Sequence, residues 1–251
     1  ELHWSKTDCA NEALIGIKHG QNKDVTVCEK NWCRDKADIP NDTYLYSKGS
    51  WRQKYDDQWA IKHIGFTTDK KSAWNVEDGS SNPVVVAVID TGLDWNHKDI
   101  NWENIWKNTG EIPDNGKDDD GNGYVDDVIG WNFIDDNNKP WDHDGHGTFV
   151  SGIIAAASDN KVGIAGINKG AKIMVLKGLN AFGHGRASSL AESIFYAADN
   201  GAQVINISAG GKHLTQTEQD AVNYAYRKGA VIIVAAGNEA MDTEDYSPSG
   251  L

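Results

Sequence analysis

Val84-Val85-Val86-Ala87-Val88-Ile89-Asp90-Thr91-Gly92 is the stretch that decides the fold. Six apolar residues, most of them β-branched, run without a polar interruption into an aspartate and a turn. Alternating polarity would mean a strand with one wet face. An unbroken run predicts a strand covered on both faces, as in a parallel sheet. Working outward, three more such runs occur at residues 172–176, 203–207 and 230–235. Helical patterns separate them. Residues 147–157 are small and apolar, which predicts a buried helix; residues 188–200 and 215–228 are amphipathic. Gly201 and Gly229 stand where glycine ends such helices. Strands alternating with helices predict an α/β domain with a mostly parallel sheet flanked by helices. In such sheets ligands bind outside the carboxyl ends of the strands. The residues to inspect are therefore Asp90, the turn Ser208-Ala209-Gly210-Gly211, and Gly237-Asn238-Glu239.

Composition narrows the function. The 251 residues suffice for one large domain or two small ones, and the apolar 39% is concentrated in the second half, where a sizeable core can form. Lys and Arg number 24 against 37 Asp and Glu, a formal charge of -13. That balance argues against a nucleic-acid partner, because phosphate backbones need a basic surface. No apolar run is long enough to span a membrane. No signal peptide opens the chain, and Glu1 reads as an internal or processed start. The cysteines are Cys9, Cys28 and Cys33, so the core segments do not rely on disulfides, and the odd count implies a free thiol or an outside partner. No Cys/His spacing fits zinc.

Three residues carry the chemistry. Asp90 ends a buried strand, and a dry carboxylate is costly unless a charge or hydrogen bond meets it; the plain alternative is a turn cap. His146 lies in Asp142-His143-Asp144-Gly145-His146-Gly147-Thr148, at the start of the small-residue helix. Its flanking glycines would let a substrate backbone approach the imidazole. A lone histidine is more often a surface or packing residue, and His97 and His143 are read that way. Asn238 follows the last strand, where an amide can donate to a developing oxyanion or simply close its own turn.

Together, and in this order, these segments resemble the subtilisin-like serine proteases, the subtilases. Val88-Ile89-Asp90-Thr91-Gly92 matches that family's aspartate motif, Asp144-Gly145-His146-Gly147-Thr148 its histidine motif, and Ala235-Ala236-Gly237-Asn238-Glu239 its oxyanion-asparagine motif. The resemblance runs from about Asn41 to Leu251, and the order Asp then His, with Ser later, is the subtilisin order. It implies a subtilisin-like three-layer domain over residues 41–251 and a serine endopeptidase acting on protein or peptide substrates. His146 would be the general base, Asp90 would fix its tautomer, and Asn238 would donate to the oxyanion, a contact worth about 3 to 4 kcal/mol of barrier. Ser208, Ala209 and Gly210 would pair with the substrate main chain, with Gly183, His184 and Gly185 forming the opposite wall. The family's Gly-Thr-Ser-Met-Ala segment does not occur here; Ser249 lies in Ser247-Pro248-Ser249-Gly250-Leu251, which resembles the loop after the oxyanion motif. The serine is therefore expected beyond Leu251. Phe149 stands where many members have a second histidine. The alternatives are a non-catalytic subtilisin-fold peptide-binding protein, which would have no need of Asp90, His146 and Asn238 together, and a calcium-binding structural module.

Much of the acid lies between Asp114 and Asp144. Within it, Asp118, Asp120, Asn122 and the Tyr124 carbonyl follow the alternate spacing of an EF-hand-like loop, completed by one or both of Asp126 and Asp127. A true EF-hand would have Glu at its twelfth position, where Ile129 stands, so an isolated calcium loop is expected; an acidic surface loop is the alternative. The subtilase resemblance implies a second Ca2+ site from Asp42, Asp99, Asn160 and the carbonyls of Val162 and Ile164, and a third, weaker one from Asn132, Asp135 and Asn137.

Residues 1–40 are polar and weakly patterned. Residues 24–42 loosely resemble the end of a subtilase propeptide leading to a processing site. A plain N-terminal extension with a local Cys28–Cys33 disulfide fits as well. The protein's own propeptide is thus one candidate partner, and a secreted or extracellular location is expected from the resemblance.

Overall fold

The computed structural model describes residues 14–18, 25–30, 39–66, 72–240 and 242–251, the first two segments as backbone. The chain divides into two compact units, residues 1–37 and 38–251. In the first, β1 (Leu14–Lys18) and β2 (Val25–Lys30) pair antiparallel, with Gly16 opposite Cys28. Cys9 and Cys33 lie outside the described residues, and so does the expected Cys28–Cys33 disulfide.

The second unit opens with two short helices, α1 (Thr43–Tyr46) and α2 (Trp59–His63). An α/β domain follows: β3 (Val85–Asp90), β4 (Gly130–Asn132), α3 (His146–Ala155), β5 (Lys172–Lys177), α4 (Ala187–Asp199), β6 (Val204–Ile207), β7 (Gly211–Lys212), α5 (Gln216–Arg227), β8 (Val231–Val234) and β9 (Tyr246–Ser247). The central sheet has the order β4-β5-β3-β6-β8 and is parallel throughout. The run that opened the sequence reading is its middle strand.

The lack of alternation in that run has a simple cause. Ala87 and Ile89 face one side, packing with Met174, Leu176, Ile205 and Ile207 beneath α4 and α5. Val86 and Val88 face the other, with Ile173 and Val175, against Ala155 of α3. Both faces of β3 are therefore dry, and helices cover the sheet on two sides. Gly201 and Gly229 follow α4 and α5 with φ of +76° and +94°, the left-handed conformation that a glycine terminator supplies. Thr215 caps α5, its hydroxyl accepting from the Glu218 amide.

One expectation fails. The sequence predicts that the run at 230–235 is covered on both faces, yet within residues 1–251 Val231 and Ile233 are 56% and 52% exposed. β8 is an edge strand. Ile232 and Val234 turn into the core with α5, while among the described residues no helix covers the face carrying Val231 and Ile233. The strand β4 and the two-residue ribbon β7–β9 were not foreseen. Such pieces are too short to leave a periodic signal.

β5 flanks β3 on one side and β6 on the other, so the chain reverses its lateral direction beside β3. The crevice that such a reversal leaves at the carboxyl ends is where α/β sheets bind ligands. Asp90 is the last residue of β3, buried beneath the floor of that crevice.

Candidate active site

Asp90 is fully buried, with its carboxylate aimed at the His146 ring. His146 Nδ1 lies 2.8 Å from one carboxylate oxygen and 3.0 Å from the other. The Thr91 amide donates to the same carboxylate at 2.7 Å. Burial pushes the Asp90 carboxyl up, while the His146 ring and the Thr91 amide oppose the shift. The imidazole moves up from its ordinary range because its hydrogen bond to Asp90 favours the charged ring, partial burial opposing. Nδ1 must carry the proton it gives to Asp90, which leaves a lone pair on Nε2. No described residue hydrogen-bonds Nε2, and the side chain is 48% exposed.

A second carboxylate, which sequence reading missed, holds the ring's neighbours. Asp142 is buried and accepts from the amides of Asp144, Gly145 and Thr148 and from the Thr148 hydroxyl. It also accepts from the Thr91 hydroxyl at 2.9 Å, and that oxygen takes the Gly147 amide at 2.9 Å. Asp142 thereby ties the turn after β3 to the first turn of α3. Burial would raise its carboxyl, but the Thr148 hydroxyl and the amide donors hold it at about 2. Asp142 stood in the quoted histidine segment; its position four residues before a helix start was the available signal. Lys177 at the end of β5 is buried too and donates to the Thr91 carbonyl.

Of the glycines around His146, Gly147 has a packing role that the sequence did not announce. A methyl on Gly147 would collide with the Gly92 carbonyl oxygen. Its bareness lets α3 approach β3. Gly145 precedes α3 with φ of +108°, and a side chain there would meet open space.

Asn238 follows β8, and its side-chain amide has no hydrogen-bond partner among the described residues; its main-chain amide donates to Glu239 at 2.8 Å. One cavity of about 280 Å³ is lined by His146, Asn238, Gly183, Ser208, Ala209 and Gly210. His184 and Gly185 line the adjoining cleft. The loop that bears them is held by Asn180, whose side-chain oxygen accepts from the Phe182 and His184 amides. Ser208 is engaged with Asn206, and Ser249 donates to the Tyr246 carbonyl. Phe149 is exposed on the outward side of α3.

The acidic residues sort into three groups. In the 111–127 loop, Asp120 and Asp127 converge with Glu111, their oxygens within 4.8 Å of one another. Glu111 had no motif to mark it and is brought in by the fold. Asp118 instead accepts from the amides of Gly121, Asn122 and Gly123, and Asp126 from those of Asn115 and Gly116. The Asn122 side chain donates to Asp120 and Asp127, and the Tyr124 ring packs edge-on against Trp131. In the second group, Asp42 and Asp99 are buried. One Asp42 oxygen takes the Asp159 amide and the other has no partner. Burial raises that carboxyl and the nearby Asp99 charge adds to it, against the amide donors. Asp99 accepts from the Asn160 side chain and the Ile164 amide, and the Val162 amide donates to Asn160. In the third, Asn132, Asp135 and Asn137 spend their side chains on their own turn.

Comparison with known proteins follows the same lines. Residues 81–250 match the family model described as the subtilase family. The chain is 36% identical to a thermophilic serine proteinase from Bacillus sp. (strain AK1) over 87% of its own length, and 34% identical to thermitase from Thermoactinomyces vulgaris over 82%. It spans 45% and 61% of those two proteins. Among solved structures, it superimposes on proteases from Pseudoalteromonas arctica with a TM-score of 0.57 and 31% identity, covering 84% of this chain and 62% of that one. No helix among the described residues is long and apolar enough to cross a membrane.

Proposed function

Because this chain belongs to the subtilase family, we propose that it forms most of the catalytic domain of a secreted serine endopeptidase, with Asp90 and His146 as two members of an Asp-His-Ser triad. The observation that carries this reading is the 2.8 Å contact of His146 Nδ1 with a fully buried Asp90, with Nε2 left open. Asn238 and the Ser208–Gly210 segment line the same cavity. The nucleophile is a serine outside this chain. No hydroxyl among the described residues hydrogen-bonds Nε2, and Ser208 and Ser249 are engaged elsewhere.

In this mechanism the serine Oγ attacks the scissile carbonyl carbon while its proton passes to His146 Nε2. Asp90 stabilises the imidazolium that results. Asn238 donates to the carbonyl oxygen as it becomes an anion. His146 then gives its proton to the leaving amine as the C–N bond breaks. Water hydrolyses the acyl-enzyme by the same route in reverse. The substrate main chain lies extended between residues 183–185 and 208–210. The protein joined to its serine-bearing segment should hydrolyse an unfolded protein such as casein. His146→Ala should abolish turnover, and undiminished hydrolysis by that variant would refute the assignment.

Calcium fits two of the three acidic groups. The unpartnered buried oxygen of Asp42, beside Asp99, leaves a like-charge pair that a hard cation would neutralise. Asp42, Asp99, Asn160 and the carbonyls of Val162 and Ile164 would hold it, tying residues 41–44 to the 159–163 loop. The second position is Glu111, Asp120 and Asp127, with the rest of the expected loop ligands (Asp118, Asn122, Tyr124, Asp126) shaping the turn. Calcium would supply charge neutralisation and rigidity, and no step of hydrolysis runs through it.

A further inference from the structure

Next to the His146 cavity lies a cleft of about 330 Å³ whose charged side chains the mechanism does not use. Leu179, Gly183, Ala209 and Gly210 line both. A peptide extended along residues 208–210 therefore reaches the second space. Side chains on one face of an extended strand recur about every 6.8 Å, so a residue near the scissile bond and one further along enter the two spaces in turn.

The cleft is basic in an acidic protein. The chain carries a formal charge of -13, yet the exposed ionisable groups lining this cleft are Arg186, Lys212, His184 and His213. Arg186 and Lys212 come from different elements. Arg186 immediately precedes α4, next to the loop that Asn180 pins. Lys212 is set by β7, where it pairs with Tyr246. Neither forms an ion pair with a carboxylate among the described residues. The one acid lining the cleft is Glu218, which is buried and accepts from the hydroxyls of Thr215 and Ser247.

Resting on the peptidase reading, we propose that Arg186 and Lys212 make this cleft a specificity pocket for an acidic side chain of the substrate. A carboxylate in the cleft meets a lining that carries two cations from separate elements, and the planar guanidinium can take it in two parallel hydrogen bonds. The partners remain partly hydrated, so each contributes a few-fold rather than orders of magnitude.

The test is a fluorogenic peptide set in which each position in turn is Glu, Gln or Lys, read as kcat/KM on the protein joined to its serine-bearing segment. At one position remote from the scissile bond, Glu should exceed Gln by about five- to tenfold, and Gln should exceed Lys. The preference should shrink as salt rises from about 0.05 M to 0.5 M. Arg186→Glu should invert the Glu-to-Lys ratio, while the milder Arg186→Gln and Lys212→Gln should each lower it about threefold. Gln equal to Glu at every position would overturn the proposal. So would a Lys preference in the unaltered protein, which would mean that Glu218 sets the pocket. If no peptide is cleaved, the peptidase reading fails instead. The charge preference is then read as affinity for the same labelled peptides by fluorescence anisotropy, where equal binding of Glu, Gln and Lys peptides overturns it.

Discussion

At the residue scale the site is a problem of keeping one proton in one place. Asp90 orients His146 and favours its charged form, so Asp90→Asn should leave the fold intact and lower kcat about ten-thousand-fold, because the wrong tautomer is then stabilised. Asn238→Ala should lower kcat about a hundred- to a thousandfold with little change in KM if, as proposed, its amide serves the oxyanion alone. The pH dependence has a definite sign. In the proposed mechanism His146 acts as a base only when neutral, and its hydrogen bond to Asp90 raises it above its ordinary value. The acid limb of kcat/KM should therefore lie above the free-imidazole value of about 6.5, with rate lost as pH falls through it. The same shift has the opposite effect on stability. The stabilisation is fully present below the unfolded-state pKa and is lost as pH rises through the folded-state one.

At the scale of elements, the decisive contact is α3 against β3. Gly147 sits where a methyl would strike the Gly92 carbonyl, so Gly147→Ala should cost about 1–3 kcal/mol and pull His146 away from Asp90. Gly152 in the same helix is the control. Its added methyl would meet only the end of Ile164, at 3.8 Å, so Gly152→Ala should be neutral or stabilise by up to about 1 kcal/mol. Chemical denaturation of both variants checks this. What the sequence made legible was of this size too. The four long apolar runs became β3, β5, β6 and β8 to within about a residue, because burial writes composition directly. His146 and Asn238 line one cavity and Asp90 is buried against His146, because their positions are strand and helix ends. What it hid depends on contacts between distant segments. Glu111 joins Asp120 and Asp127, and Asp142 reaches Thr91, with no local pattern to announce either. The amide contacts of Asp118 and Asp126 were not legible because an acid that caps amides and an acid that binds a cation have the same spacing. The exposed face of β8 was missed because an apolar run does not tell an edge strand from a central one.

At the scale of the whole molecule, buried acid is tied to stability. Asp42 joins the segment at residues 41–44 to the 159–163 loop, with Thr43 and Tyr44 bonded to Lys161 and Gly163. A cation that binds only the folded state stabilises it by mass action, by about 2.7 kcal/mol when present at a hundred times its Kd. Excess EDTA should lower the melting temperature markedly, and Asp42→Asn should remove part of that difference. Unchanged melting in EDTA would exclude calcium as a structural partner.

The central claim is that Asp90 and His146 activate a serine not contained in these residues. Labelling the protein and its serine-bearing segment with a fluorophosphonate, then mapping the adduct by mass spectrometry, tests it most directly. The account predicts one labelled serine, outside residues 1–251, with labelling lost in His146→Ala. A label on any serine within this chain, or labelling undiminished in His146→Ala, would contradict it.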